Sequence, residues 1–258
     1  MNQNDSPLKG RVVLVTGASK GIGHAIASTL GEHGAYVIAH YGNDKGGAID
    51  ATSAIPDSNK YLIQADLSQR DGYLKLWEKA IEWQGKVDVL VANAAIMPEA
   101  SLLDSDEIWS QAWDSAFEVN VRSSAFLIRE AVKHYLNNSG GVIVGLSSWA
   151  AQRGSGNPKL SGYAASKAPI NPFLKTIAKT YAKDGIYTYL IAPGIVRTAM
   201  SEISAKSLGG EEKITATLAL GEWVPPQEIA ELVAFLATGK QHHLTGSTFD
   251  INGASYIR

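Results

Sequence analysis

Val12-Val13-Leu14-Val15-Thr16-Gly17-Ala18-Ser19-Lys20-Gly21-Ile22-Gly23 is the stretch on which the fold turns. Its first four residues form a short unbroken apolar run, the pattern of a strand covered on both faces in a parallel sheet. Glycines at 17, 21 and 23 follow, and then an amphipathic stretch over 24–33. Glycine between a strand and a helix permits a tight turn and lets the backbone approach a pyrophosphate closely. The helix that starts there offers unpaired N–H groups and the positive end of its dipole. A glycine turn that binds nothing is the bland alternative, and the strand before it and helix after it weigh against that.

Outward from this turn the same grammar repeats. Apolar runs stand at Tyr36-Val37-Ile38-Ala39, Val87-Asp88-Val89-Leu90-Val91, Val142-Ile143-Val144-Gly145-Leu146 and Tyr187-Thr188-Tyr189-Leu190-Ile191. Between them lie amphipathic stretches over 69–84, 107–136 and 161–183. Repeated βαβ units predict a doubly wound, Rossmann-like parallel sheet of about seven strands, with helices on both faces and right-handed crossovers. No linker or shift in composition divides the chain, so one domain over residues 1–258 is expected.

Composition narrows the function classes. A net charge of -2 gives no basic footprint for nucleic acid or an anionic membrane. With no cysteine, disulfides, thiolate metal sites and cysteine nucleophiles are excluded. The polar start, Met1-Asn2-Gln3-Asn4-Asp5-Ser6, lacks the segments of a signal peptide, and no apolar run reaches the length of a membrane helix. A cytoplasmic protein is expected. His242-His243 resembles a metal pair, but adjacent residues diverge on any regular element and no third ligand is apparent, so no metal site is expected.

Tyr163-Ala164-Ala165-Ser166-Lys167 is the second informative stretch. Residues four apart share a helix face, so Tyr163 and Lys167 can point into one cleft. A phenol ionises near pH ~10, and a neighbouring ammonium favours the phenolate, bringing it toward the range useful for acid–base chemistry. A solvated helix face is the ordinary reading of such a pair. Pro169 and Pro172 fall within the same stretch, and neither has an N–H, so the carbonyls of Ala165 and Ala168 are expected to lose their helical partners.

These motifs, in this order from about Lys9 to the C-terminus, resemble the short-chain dehydrogenase/reductase family. Its TGxxxGxG pattern is met by Thr16, Gly17, Gly21 and Gly23, with Ser19, Lys20 and Ile22 in the same dinucleotide-binding turn. Asp66, beside Leu67, matches the aspartate that contacts adenine. Ala92-Asn93-Ala94-Ala95 takes the place of NNAG; Asn93 and Ala94 remain, while alanine replaces the first asparagine and the glycine, so local packing must differ. Pro193-Gly194-Ile195-Val196-Arg197-Thr198 resembles the segment that holds the nicotinamide carboxamide. The resemblance implies an NAD(P)-dependent oxidoreductase moving a hydride between nicotinamide and a carbonyl or secondary alcohol. Tyr163 would be general acid or base. Lys167 would lower its pKa and hold the nicotinamide ribose. Ser148 would bind the substrate oxygen, with Ser147 as the neighbouring alternative, and Asn120 would hold a water in the proton relay.

Finer features follow from the same register. The tip of the second strand is Tyr41, which carries no charge to repel a 2′-phosphate, and Lys20 resembles the basic residue some members place against that phosphate. NADP(H) is therefore preferred, with NAD(H) left possible through Asp44. A substrate lid is expected over about 198–223, with Met97, Trp149, Arg153 and Asn157 as candidates for the pocket wall. The near-neutral His134–Ser139 stretch offers no basic dock for an acyl carrier protein. An enoyl reductase would space tyrosine and lysine more widely, and an epimerase of the extended branch would need a longer C-terminal part. A non-catalytic dinucleotide-binding module is the alternative, against which the intact Tyr163/Lys167 pair stands. By resemblance, and from the apolar surplus of 107–136 and 161–183, a homotetramer or homodimer is expected.

Overall fold

The computed structural model describes residues 6–258; residues 1–5, most of the polar start, lie outside them. Seven strands form one sheet in the order β3-β2-β1-β4-β5-β6-β7, every pair parallel. They are β1 (Val12–Val15), β2 (Tyr36–Tyr41), β3 (Lys60–Gln64), β4 (Val89–Ala92), β5 (Gly141–Leu146), β6 (Ile186–Pro193) and β7 (Thr248–Ile251). The helices of the first half are α1 (Gly21–Glu32), α2 (Lys45–Ala51), α3 (Gly72–Gln84), α4 (Asp106–Phe117) and α5 (Ser124–Leu136). The second half adds α6 (Ala150–Arg153), α7 (Ser161–Ser166), α8 (Ile170–Tyr181), α9 (Ala199–Ser207), α10 (Glu211–Thr215) and α11 (Pro226–Ala237).

The strands are apolar throughout because both faces are covered. Val13, Val15, Val37, Ala39, Val89 and Val91 pack with Ile26 and Leu30 of α1 and Ile229 and Val233 of α11. Val12, Leu14, Ile38, Leu90 and Ile143 face the other way, onto Leu76 of α3, Leu127 and Ile128 of α5, and Leu174 of α8. This is the two-residue alternation of a strand read against two apolar layers. Each fully buried aliphatic side chain contributes about 1.5–3 kcal/mol.

Strand order reverses between β1 and β4. The chain runs outward from β1 through β2 to β3, then returns to place β4 on the other side of β1. The carboxyl ends of β1 and β4 therefore part to form the crevice where sheets of this kind bind ligands.

Two long helical stretches resolve differently from the sequence expectation. Residues 107–136 are not one helix: α4 and α5 are joined by one π-helical turn, Glu118–Ser123. The stretch 161–183 breaks between α7 and α8, over Lys167 to Pro169, and ends in a 3-10 turn, Ala182–Asp184. Proline explains the break, because Pro169 becomes the N-cap of α8 and Pro172 lies in its first turn, where a missing N–H costs little. The carbonyls of Ala165 and Ala168 do lose their i→i+4 donors, and shorter i→i+3 bonds take their place. Ala168 N–H donates to Ala165 O at 3.2 Å, and Asn171 N–H donates to Ala168 O at 3.1 Å.

Candidate active site

The glycine loop is shaped by close approach. Gly17 and Gly21 have φ of +68° and +57°, the region that favours glycine. A Cβ on Gly23 would collide with the Gly17 carbonyl oxygen and the Asn93 amide. A Cβ on Gly21 would stand 3.0 Å from Thr198 Cγ2, so the two ends of the crevice nearly touch there. Helix α1 opens on this loop with no side-chain cap from Lys20 and no acidic residue in its first turn. Its leading N–H groups face the crevice mouth without a carboxylate of the protein's own, which fits a dinucleotide's pyrophosphate.

Thr16 and Asn93 serve that loop from inside. Thr16 is buried, its hydroxyl donating to Val91 O at 3.1 Å and accepting the N–H groups of Asn93 at 2.9 Å and Ala94 at 3.0 Å. Asn93 Nδ2 donates to Thr16 O at 2.8 Å and Gly17 O at 3.2 Å. Ala95, which replaces the family glycine, does not have a positive φ, so its methyl is accommodated without strain.

At the rim, Tyr41 is buried at 7% exposure and belongs to the core rather than the strand's open tip. The tip is formed by exposed Gly42, Asn43 and Asp44. Ser19 Oγ donates to Asp44 O at 2.7 Å, which ties the glycine loop, with exposed Lys20, to the start of α2, whose first residue is Lys45. The Asp44 carboxylate is committed to capping α2 through Gly47 N–H at 2.8 Å. Lys45 escaped the sequence reading, although a basic residue just past the second strand was a usable signal. Asp66 accepts Ser68 Oγ–H at 2.7 Å and Ser68 N–H at 2.9 Å; these bonds hold its carboxyl below the usual carboxylate range. Leu67 beside it is buried.

The structure brings the four proposed catalytic residues together. Ser148, just past the end of β5, lies near enough to Tyr163 to favour its phenolate, and its Oγ accepts Ala150 N–H at 3.1 Å. Ser147 points elsewhere, donating to Lys167 O at 3.1 Å. Lys167 closes the turn below Tyr163, its N–H donating to Tyr163 O at 3.1 Å. Asn120 sits in the π-helical turn with Oδ1 accepting Ile96 N–H at 2.8 Å and Nδ2 donating to Ile96 O at 2.9 Å and Ser166 Oγ at 2.8 Å. Ser166 Oγ in turn donates to Tyr163 O at 2.8 Å. Local π turns recur at functional sites because they redirect a side chain or carbonyl out of the helical ladder.

Electrostatics differ from the simple expectation. Burial pushes Tyr163 up to about 12, with the nearby Ser148 hydroxyl pulling in the other direction. Burial pulls Lys167 down to about 8. Lys167 Nζ donates to Leu146 O at 2.6 Å rather than to the phenol, so in this state desolvation outweighs any lowering of Tyr163 by the lysine.

The far end of the crevice follows β6. Gly194 N–H donates to Ile251 O at 2.8 Å, and Pro193 O accepts Trp149 N–H at 3.0 Å. Ile195 O accepts Val224 N–H at 2.9 Å, and Thr198 caps α9 through Ser201 N–H. Trp149 packs with the Ala205, Leu218 and Trp223 cluster, and Arg153 lies over its ring at 4.3 Å. Asn157 is buried and caps a 3-10 turn through Lys159 N–H at 3.0 Å, and Met97 is half-buried. His242 stacks on Tyr187 at 4.7 Å. Among the described residues there is no group of three or more metal-ligating side chains and no helix long and apolar enough to cross a membrane.

Comparison with known proteins agrees with this geometry. A family model described as enoyl-(acyl carrier protein) reductase matches residues 17–254. The chain is 34% identical to 3beta-hydroxysteroid dehydrogenase 1 of Eggerthella lenta, over 95% of this chain and 94% of that one. It is 32% identical to the 3-oxoacyl-[acyl-carrier-protein] reductase of Staphylococcus aureus, over 95% and 97%. Among solved structures, a 3-oxoacyl (acyl-carrier-protein) reductase from Agrobacterium tumefaciens with NADP bound superposes with a TM-score of 0.86 at 28% identity, over 98% of this chain and 97% of that one. A 3-ketoacyl-(acyl-carrier-protein) reductase from Brucella melitensis complexed with NADH gives 0.84 at 28% identity, over 96% and 99%. These relatives are named as enzymes, which supports the catalytic reading over a non-catalytic binding module. The chain belongs to the short-chain dehydrogenase/reductase family, nicotinamide-dependent oxidoreductases that interconvert CH–OH and C=O groups.

Proposed function

We propose that this chain interconverts a small-molecule ketone and its secondary alcohol, with Tyr163 as the proton-transferring group. The observation that carries the reading is the placement of Tyr163 one helical turn from the buried Lys167, with Ser148 near enough to favour its phenolate, beside the glycine crevice. A nicotinamide bound in the crevice supplies the hydride in reduction and accepts it in oxidation. In reduction Tyr163 gives its phenolic proton to the substrate oxygen, and Ser148 donates a hydrogen bond to the same oxygen. In oxidation Tyr163 takes that proton back. Lys167 holds the cofactor ribose and keeps a cation under the developing phenolate. Asn120 fixes the turn that carries the water-mediated relay to Lys167.

The enoyl reductase description of the matched family model is the competing reaction. The four-residue spacing of Tyr163 and Lys167, and the carbonyl and alcohol enzymes among the relatives, favour C=O over C=C reduction. Cofactor binding is assigned to Gly17, Ser19, Lys20, Gly21, Ile22 and Gly23 at the phosphates, Asp66 and Leu67 at adenine, and Ala94, Tyr163, Lys167, Pro193, Gly194, Ile195 and Thr198 toward the nicotinamide. Thr16 and Asn93 hold the loop. NADP(H) is favoured because Lys20 and Lys45 flank a strand tip whose carboxylate, Asp44, is engaged in its own helix cap. The stretch 198–223, carrying α9 and α10, acts as the substrate lid of a single domain. A cytoplasmic homotetramer or homodimer completes the reading.

The test is Tyr163→Phe, assayed by reduced-nicotinamide absorbance over a panel of alcohols and carbonyls. Turnover should fall by a factor on the order of a thousand or more, because the proton donor is lost, with cofactor affinity nearly unchanged. Near-normal turnover in that variant would remove Tyr163 from the mechanism.

A further inference from the structure

The glycine loop is gripped from one side by Asn93, and from the other by a residue no motif picks out. His40, in β2, is buried at 3% exposure. Gly17 N–H donates to its Nδ1 at 3.1 Å, and its Nε2 lies 3.0 Å from Ala65 O. The His40 carbonyl accepts Ala18 N–H at 2.8 Å. The partners dictate the tautomer. Nδ1 faces a donor and must accept, so the ring proton sits on Nε2 and is given to the Ala65 carbonyl. A neutral ring is required for that, and burial, opposed only in part by the Ala65 bond, holds the imidazole near 4, so it stays neutral at working pH.

We infer that His40 is a positioning residue for the dinucleotide, bridging the pyrophosphate loop at Gly17 to the adenine loop at Ala65–Leu67. The two loops leave the carboxyl ends of β1 and β3, the strands on either side of β2, and His40 reaches both from β2 between them. Gly17 is thereby held at both polar ends, its N–H by His40 and its carbonyl by Asn93. A dinucleotide spanning from Asp66 to the N-terminus of α1 meets a loop pair whose spacing is already set, and does not have to order it on binding. His40 would act through the loops and touch no part of the cofactor, so it should not discriminate between the phosphorylated and unphosphorylated forms.

This inference rests on the dinucleotide reading, and one experiment separates the two. Binding of NADPH and NADH is titrated by nucleotide fluorescence on wild type, His40→Asn and His40→Gln, with circular dichroism confirming the fold. Asparagine can present an oxygen near the Nδ1 position and keep the Gly17 bond. Glutamine reaches the Nε2 position, keeping the Ala65 bond while withdrawing the acceptor from Gly17. Each variant keeps one arm and breaks the bridge, so both His40→Asn and His40→Gln should weaken NADPH and NADH alike by about tenfold, the worth of one unmade buried hydrogen bond. Folded variants that bind within about threefold of wild type, or a loss confined to NADPH, would overturn the bridging role. Wild type that binds neither nucleotide would instead overturn the dinucleotide reading itself.

Discussion

Lys167 carries its ammonium into a place where a charge is costly, 7% exposed and with one carbonyl, Leu146 O, to receive it. Burial lowers its pKa from 10.5 to about 8. Below pH 8 both folded and unfolded chains hold the proton and the penalty is complete; between about 8 and 10.5 the folded chain sheds it first, so stability recovers as pH rises. Lys167→Met should therefore be inactive yet melt higher than wild type at pH 7, by up to about 3 kcal/mol of stability less the lost Leu146 hydrogen bond. The advantage should shrink at pH 10. A variant that melts lower than wild type at pH 7 contradicts this reading of the lysine. Lys20 makes the opposite case, a charge at the surface with work to do only on a ligand. Lys20→Ala should weaken NADPH by roughly tenfold to a hundredfold and leave NADH unchanged, since a charge-assisted contact is worth about 1.5–3 kcal/mol. Equal affinities before and after would return Lys20 to the solvent. To reverse the preference, a carboxylate belongs at exposed Asn43; at buried Tyr41 it would unfold the strand instead of meeting a ribose.

Elements explain which parts of this architecture could be read in advance. Helix α1 can meet the glycine loop only because Gly23 has no side chain, so Gly23→Ala must push the Gly17 carbonyl and Asn93 apart. Cofactor binding should drop at least tenfold, and stability should fall by about 1–3 kcal/mol from overpacking, seen by titration and thermal melting. Wild-type binding in that variant would mean the loop is far softer than its hydrogen bonds suggest. This glycine turn was legible because its demands fall on residue type. The central strands were legible for a similar reason, being apolar on both faces. Strand β3 was missed, and its place at the sheet edge shows why: Tyr61 and Gln64 are exposed, so Lys60-Tyr61-Leu62-Ile63-Gln64 does not read as an apolar run. The break before α8 was half visible in Pro169, though not that tighter three-residue turns would recover the stranded carbonyls. The π turn around Asn120 leaves no mark in composition. His40 reads as one more strand residue until the sheet brings Gly17 and Ala65 to its two nitrogens.

At the scale of the whole molecule, the remaining question is what the helices on one flank pack against. Both sheet faces are already covered, yet Leu103 is 94% exposed, Leu102 71% and Ile108 51%, all at or just before α4, with Leu136 at the end of α5 at 47%. The expectation of an apolar surplus on 161–183 narrows here: exposed large apolar residues recur from Leu102 to Leu136, others stand apart at Ile49, Ile203, Leu220 and Phe235, and none falls in 161–183. Single exposed leucines are ordinary; several on adjoining elements ask for a partner. A second copy meets that need economically, because a two-fold axis lays the same helices against themselves and hides the surplus on both chains at once. The outer row of α4 also carries Asp106 and Glu107 in its first turn, so the contact must be apolar at its centre and leave those carboxylates at its rim. Sedimentation at micromolar concentration should show a dimer or tetramer. Leu103→Glu combined with Ile108→Glu should shift it toward a smaller species with circular dichroism unchanged, since neither side chain supports the core of its own chain. A wild-type monomer would leave those leucines unexplained, and an assembly that survives both glutamates would place the interface on another face of the molecule.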